Sequence, residues 1–193
     1  MKRTLLLTVA IINMTFMVNA QIKDDFETNK LGWTEFSSNR SEAIITEGHM
    51  HLVSKNDDAA ITVCYPALDF TRDFEIKCDV LAKKIDDDKS FGLLIDYFDE
   101  YNYTVFLVTE GMSMFQIVKE NEIVGRIYAP IKLKEQKKAT VELKIKSSYQ
   151  KIEFFVNGMK ALERRFLHME SNGIGLWAGG KQKIDFDNFE IIQ

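Results

Sequence analysis

Apolar residues in this chain recur at every second position in short runs, and no segment holds a helical three-to-four spacing over eleven or more residues. The clearest run is Asp73–Ala82. There Phe74, Ile76, Cys78 and Val80 alternate with Glu75, Lys77, Asp79 and Leu81, which predicts a strand with one face in a core. Ser90–Lys119 repeats the pattern three times, predicting strands at Phe91–Tyr97, Asn102–Thr109 and Ser113–Lys119 with polar turns at Asp99–Tyr101 and Glu110–Met112. Upstream, a first strand is expected to open at Asp24-Asp25-Phe26, followed by a turn at Asn29-Lys30-Leu31-Gly32 and a strand at Trp33–Ser37. A hairpin of Ala43–Thr46 and Met50–Ser54 then turns at Glu47-Gly48-His49, and Ala60–Tyr65 is closed by Pro66. Downstream, Glu122–Tyr128 pairs back across Glu120-Asn121, and Lys132–Lys138 reads as a basic, exposed connection to Ala139–Lys146. Lys151–Val156 and Met159–Phe166 flank Asn157-Gly158, the strongest hairpin signal in the chain, and Gly173–Ala178 and Lys183–Ile192 finish the set around Gly179-Gly180. Roughly fifteen short strands at this spacing predict an all-β, two-sheet antiparallel jelly-roll sandwich.

The first twenty residues stand outside that pattern. Lys2 and Arg3 precede a mostly apolar stretch, Leu5–Val18, and Val18-Asn19-Ala20 has the small residues of a cleavage site. Residues 1–20 are therefore expected to be a signal peptide, and residues 21–193 a single exported domain, extracellular or periplasmic. The apolar stretch falls short of the ~20 residues a membrane span needs, and no cysteine stands at the cleavage point for a lipid anchor. With 46% hydrophobic and 28% charged residues the chain is globular, and a net charge of −4 supplies no general attraction for nucleic acid or an anionic membrane. Cys64 sits opposite Ile61, Val63 and Tyr65 in its strand, whereas Cys78 shares a face with Phe74, Ile76 and Val80. If both strands turn their apolar face inward, the sulfurs lie on opposite sides of the sheet and stay separate thiols.

Several stretches together resemble secreted concanavalin A-like lectin/glucanase and laminin-G-like jelly-roll domains. They are the opening DDFETNKLGW, the central FGLLIDYFDEYNYTVFLV, the VNG hairpin at Val156-Asn157-Gly158 and the ending GIGLWAGGKQKIDFDNFEII. Within the ending, Gly173-Ile174-Gly175-Leu176 and Phe186-Asp187-Asn188-Phe189 match the closing two strands of that group. The resemblance implies the same sandwich, whose members include carbohydrate-binding modules, glycoside hydrolases and domains without activity; fold alone does not choose among them. It also implies a tie between first and last strands through a structural calcium ion. Asp24, Asp25, Asp187 and Asn188 would supply oxygen ligands there.

A hydrolase on this fold needs two carboxyl groups across a sugar site. The E-x-D-x-x-E pattern of the family-16-type glucanases is absent; Asp96-Tyr97-Phe98-Asp99-Glu100 is the nearest cluster, and Asp185 and Asp187 share one strand face. Asp96, Glu110, His49 and His51 are the remaining loop or strand candidates for chemistry. The two histidines are two residues apart, hence on one face, but have no third ligand beside them in sequence. A pyranose ring has an apolar face and a polar rim, so Tyr97, Tyr101, Tyr103 and Trp177, with Asp96 beside them, are the expected ligand-binding residues; Trp33, directly after a glycine turn, reads as a core plug. The leading expectation is an exported, non-catalytic domain that binds a glycan or an exported protein partner. A glycoside hydrolase on the same sandwich and a structural or assembly role are the alternatives.

Overall fold

The computed structural model describes residues 21–56, 58–82, 88–133, 139–148, 150–165 and 168–193. The expected leader and most of the Lys132–Lys138 connection lie outside the described residues. The strands, in chain order, are β1 (Gln21–Asp24), β2 (Phe36–Ser37), β3 (Ser41–Thr46), β4 (His49–Ser54) and β5 (Ala60–Cys64). Then come β6 (Phe74–Ala82), β7 (Ser90–Asp99), β8 (Asn102–Val108), β9 (Met112–Lys119) and β10 (Glu122–Pro130). The last five are β11 (Ala139–Ser148), β12 (Lys151–Val156), β13 (Met159–Arg165), β14 (Gly173–Gly179) and β15 (Gln182–Ile192).

They form two antiparallel sheets. One has nine strands in the order β13-β12-β11-β6-β15-β4-β3-β2, with β1 also on β15; the other has six in the order β10-β9-β8-β7-β14-β5. Chain neighbours such as β5 and β6, or β14 and β15, lie in different sheets, which is the jelly-roll crossover. Between the sheets lies one core of aromatic and branched side chains, with Phe106 and Phe115 from one sheet against Phe154 from the other at ring centroids of 4.9 and 4.8 Å. Among the described residues no helix is long and apolar enough to cross a membrane.

Local sequence explains most of these elements. β6 alternates buried and half-buried residues along its whole length, as its pattern requires. Asn157 and Gly158 take positive φ values of 50° and 73° and close the β12–β13 hairpin; the Asn157 side chain also accepts the Glu142 N–H, pinning the turn to β11.

Three expectations need correction. The first strand ends at Asp24 instead of beginning there, because Phe26 turns the chain at φ 52° while its N–H donates to Asp24 Oδ1. The strand expected at Trp33–Ser37 shrinks to β2: Trp33 is held in a loop, where its N–H donates to Asn29 Oδ1 and its carbonyl accepts from Asn29 Nδ2. The cysteines are free, but they do not face opposite ways. Cys64 points inward with Ala60, Cys78 points inward from the other sheet, and burial pushes both thiols well above their ordinary pKa.

Candidate functional site

The apolar character of both faces of β5, where Cys64 points inward, also locates the site. On β5 the inward residues are Ala60, Thr62 and Cys64, while Ile61 and Val63 face outward. The outer face of an antiparallel sandwich sheet is ordinarily polar. Here the outer face of the six-stranded sheet carries a second apolar layer. Leu94, Val105 and Leu107 point away from the shared core yet are no more than 5% exposed, under a cover of Ile61, Tyr97, Tyr103, Met114 and Trp177.

A bulge brings Tyr97 to this face. Between the pairs Gly175–Leu94 and Gly173–Tyr97, β7 advances three residues while β14 advances two. Asp96 sits in the bulge at φ 55°. Strict alternation would turn Tyr97 inward after Leu94; the extra residue returns it outward. Ile95 still points into the shared core.

Asp96 Oδ1 accepts the N–H groups of Glu170 and Ser171 at 2.7 and 2.8 Å, and Ser171 Oγ donates to the Tyr97 carbonyl. The bulge is thereby tied to the connection between β13 and β14. Burial raises the Asp96 carboxyl above the usual aspartate range, against the lowering effect of the two backbone N–H groups.

Tyr97 and Tyr103 stack at 6.4 Å between centroids with planes 23° apart, and Tyr103 meets Trp177 at 6.0 Å and 42°. Trp177 Nε1 donates to Ser90 Oγ at 3.1 Å, which fixes the indole. Burial holds both phenols above the ordinary tyrosine range, so they remain neutral hydrogen-bonding groups. The result is an uncharged, half-exposed aromatic row over an aliphatic layer.

Gly173 sets the close approach at one end of this row. A Cβ there would lie 2.2 Å from the Tyr97 carbonyl and 3.0 Å from Tyr65 Cε1. Gly173→Ala is therefore expected to cost about 1–3 kcal/mol and to displace Tyr97, as a lower urea midpoint with weakened ligand binding. Unchanged stability and binding would mean the contact is not tight in solution.

Of the residues expected to bind a ligand, the fold assembles Tyr97, Tyr103 and Trp177. Asp96 lies at the bulge beside them and lines a separate cavity. Tyr101 projects from the β7–β8 turn, half-exposed, with its carbonyl accepting the Asn121 N–H. Sequence reasoning missed Tyr65, which is 55% exposed next to Gly173; the signal available was an aromatic at a strand end before Pro66. Trp33 is a core plug as expected, packed edge-on to Phe189.

The residues suggested for calcium have protein partners. Asp24 is buried, with Oδ1 accepting from Phe26 N and Oδ2 from Trp33 Nε1, and Asp25 pairs with Lys30. The terminal strands are indeed neighbours, through β1 and β15. Asn188 occupies a bulge of β15 at φ 50°, donates to Asp79 Oδ2 and lies beside Asp187. On the outer face of the nine-stranded sheet, His51 Nδ1 lies 2.5 Å from Asp185 Oδ1, and His49 Nε2 lies 4.0 Å from Asp187. Among the described residues no three His, Cys, Asp or Glu side chains gather as a metal site.

No protein-family profile matches the sequence, and no curated protein matches it. Solved structures do match the fold. The carbohydrate binding module CBM66 from Bacillus subtilis superposes with TM-score 0.64 at 14% identity, covering 84% of this chain and 96% of that one. The carbohydrate recognition domain of Emp47p gives 0.66 at 11% identity, covering 90% and 94%. A β-glucanase from Bacillus licheniformis gives 0.63 at 7% identity, covering 91% and 99%. The architecture is the concanavalin A-like jelly roll that the sequence motifs resemble.

Proposed function

We propose that this protein is an exported, non-catalytic carbohydrate-binding domain whose binding surface is the outer face of the six-stranded sheet. The observation that carries this is the row Tyr97–Tyr103–Trp177, uncharged, half-exposed and seated on buried aliphatic residues where a sandwich normally presents polar side chains. Flat aromatic surfaces of this kind suit the apolar face of a pyranose, while the phenolic hydroxyls and nearby Gln116 can hydrogen-bond its rim. That two fold neighbours are named as carbohydrate binding or recognition domains is consistent with this use.

The two carboxylates that the sequence offers as a catalytic pair, Asp96 and Glu110, do not face each other. Asp96 adjoins Ile95, which pairs with Thr104, whereas Glu110 follows the far end of β8, six residues beyond Thr104. At strand rise that separation is about 20 Å, well outside the roughly 5–9.5 Å used by glycosidase pairs. Asp99 is occupied at the turn, accepting from Tyr101 N and Asn102 Nδ2.

The test is a glycan array followed by titration of the 21–193 chain. Trp177→Ala and Tyr103→Ala are each expected to weaken binding by about tenfold, the equivalent of ~1.4 kcal/mol, with Tyr101→Ala unchanged. Intrinsic fluorescence should report the same event. Trp33 is buried, so a ligand-induced change should come from Trp177 and vanish in its alanine variant. Absence of binding to every glycan by folded protein would defeat the proposal.

A further inference from the structure

The strand β10, at one margin of the six-stranded sheet, carries a charge that the aromatic row lacks. Ile127 and Ala129 pack against the shared core, so alternation turns Arg126 and Tyr128 to the outer face. The register agrees. Tyr128 pairs with Met114, which lies in the outer apolar layer, and Arg126 pairs with Gln116. Both side chains are exposed, Tyr128 to 66%. They therefore stand on the same face as Tyr97, Tyr103 and Trp177.

One line across the sheet joins Tyr128 to the row. Trp177 pairs with Gly92, Gly92 with Leu107, Leu107 with Met114 and Met114 with Tyr128. Four strand spacings, about 19 Å, separate the two aromatics at its ends. The floor between them is low, because Gly92 has no side chain and Leu107 is 5% exposed. A glycan lying across the strands can span from the row to Tyr128 on this floor. Arg126 is one outward position further along β10, about 7 Å from Tyr128.

Charge then narrows the ligand. Between the turns that close the two ends of this sheet, its outward positions hold no acidic side chain among the described residues, and Arg126 is the one charged group. It makes no ion pair among the described residues, whereas Lys77 and Lys144 on the other sheet both meet Glu75. The acid on its own strand, Glu122, is four residues away, about 13 Å. A guanidinium donates two parallel N–H groups to a carboxylate, and the Gln116 amide beside it adds a further donor. We infer that Arg126, Gln116 and Tyr128 form a subsite for a uronic acid residue, at the end of a glycan whose next residues reach the aromatic row. The inference rests on the carbohydrate reading of that row. The sugar ring lies on Tyr128 and its carboxylate accepts from Arg126. One cation on a protein of net charge −4 suits one acidic residue among neutral sugars. A densely charged polyanion would be repelled by the turn acids Asp99, Glu100, Glu120 and Glu122.

The experiment titrates the isotopically labelled 21–193 chain by NMR with methyl glucuronide and, separately, with methyl glucoside, which differ only in the carboxylate. The glucuronide is expected to shift the Arg126 Nε–H and the amides of Gln116 and Tyr128, binding about fivefold more tightly than the glucoside at low salt. That advantage should shrink in 0.5 M sodium chloride, because the pair is exposed. Arg126→Gln should abolish it; the side chain is exposed, and a thermal melt checks that the variant is folded. Neutral oligosaccharides followed by Trp177 fluorescence report on the row alone. If they bind while the glucuronide has no advantage over the glucoside, the acidic subsite is wrong and the carbohydrate face stands. If the glucuronide binds through Arg126 but no glycan perturbs Trp177, the reading of the row fails, and the chain-end assignment with it. Acetate shifting the same resonances as strongly would overturn the sugar assignment, since the anion would then be read without its ring. Shifts on β10 that follow protein concentration instead of ligand would mean that a second copy covers this margin, which also overturns the subsite.

Discussion

Asp24→Ala is expected to be the most damaging single replacement in this domain, lowering stability by about 3–5 kcal/mol. The carboxylate is 1% exposed and holds two donors: the Phe26 N–H at 2.9 Å and the Trp33 indole N–H at 3.1 Å. Both donors belong to residues that are almost fully buried, so water cannot readily replace the lost acceptor. Each orphaned group costs about 1–3 kcal/mol. The truncation also loosens the closed end of the core, where Trp33 packs against Phe26 and Phe189. For a domain of this size each kcal/mol is worth roughly 2–4 °C, so the melting temperature should fall by about 10 °C. Asp24→Asn should lie between, because its Oδ1 still accepts from Phe26 while its NH2 opposes the indole N–H. A loss below about 1 kcal/mol for the alanine variant would show that these two bonds are not what closes the loop.

The second large effect concerns Asp96, where alanine and asparagine should diverge. Asp96→Ala removes the acceptor for the Glu170 and Ser171 N–H groups and is expected to cost about 1–3 kcal/mol, less than at Asp24 because Glu170 is exposed and water can partly substitute. Asp96→Asn keeps that acceptor and discards a half-buried charge.

The pH dependence separates the two contributions. The folded carboxyl titrates above its ordinary value near 3.8, chiefly because of burial, so the folded state holds its proton to higher pH than the unfolded chain does. The stabilisation this gives is complete below the unfolded value and is lost as pH rises through the raised folded value. Wild type should therefore lose stability relative to Asp96→Asn between about pH 3.8 and the raised value, then run parallel to it. Urea denaturation across that window measures the difference. A wild type that instead gains on the asparagine variant with rising pH would mean that the N–H groups outweigh burial.

Which face a side chain takes is the assignment that the sequence leaves open, for two physical reasons. Strand alternation assigns residues to two faces but does not say which face is inside. In β6 the outward residues include Glu75, Lys77 and Asp79, so the assignment is unambiguous and the structure agrees. In β5 both faces are apolar, so alternation does not show that Cys64 points inward. Bulges do further harm. Asn188 lets both Phe186 and Phe189 reach the core from one β15 strand, and Asp96 sends Tyr97 outward after Leu94. Each adds one residue to a period of two and reverses every assignment beyond it. A single Asp or Asn in a strand is a weak sign of such a site, although both tolerate positive φ better than most residues.

By itself the sequence determined the two-sheet all-β fold and most strand positions, together with hairpins such as Asn157-Gly158, because these follow from side-chain period and turn chemistry within a few residues. It also singled out Tyr97, Tyr103 and Trp177 as aromatics worth attention. Only the tertiary structure decided that these three stand in one row and that Tyr101 does not. Tyr103 comes from β8, the hairpin partner of β7, but Trp177 comes from β14, a strand made a neighbour of β7 by sheet order and not by proximity in the chain. It also decided that Asp24 closes a loop from within. Such juxtapositions depend on which sheet a strand joins and where a bulge shifts its register, and those are settled by the burial of the whole core.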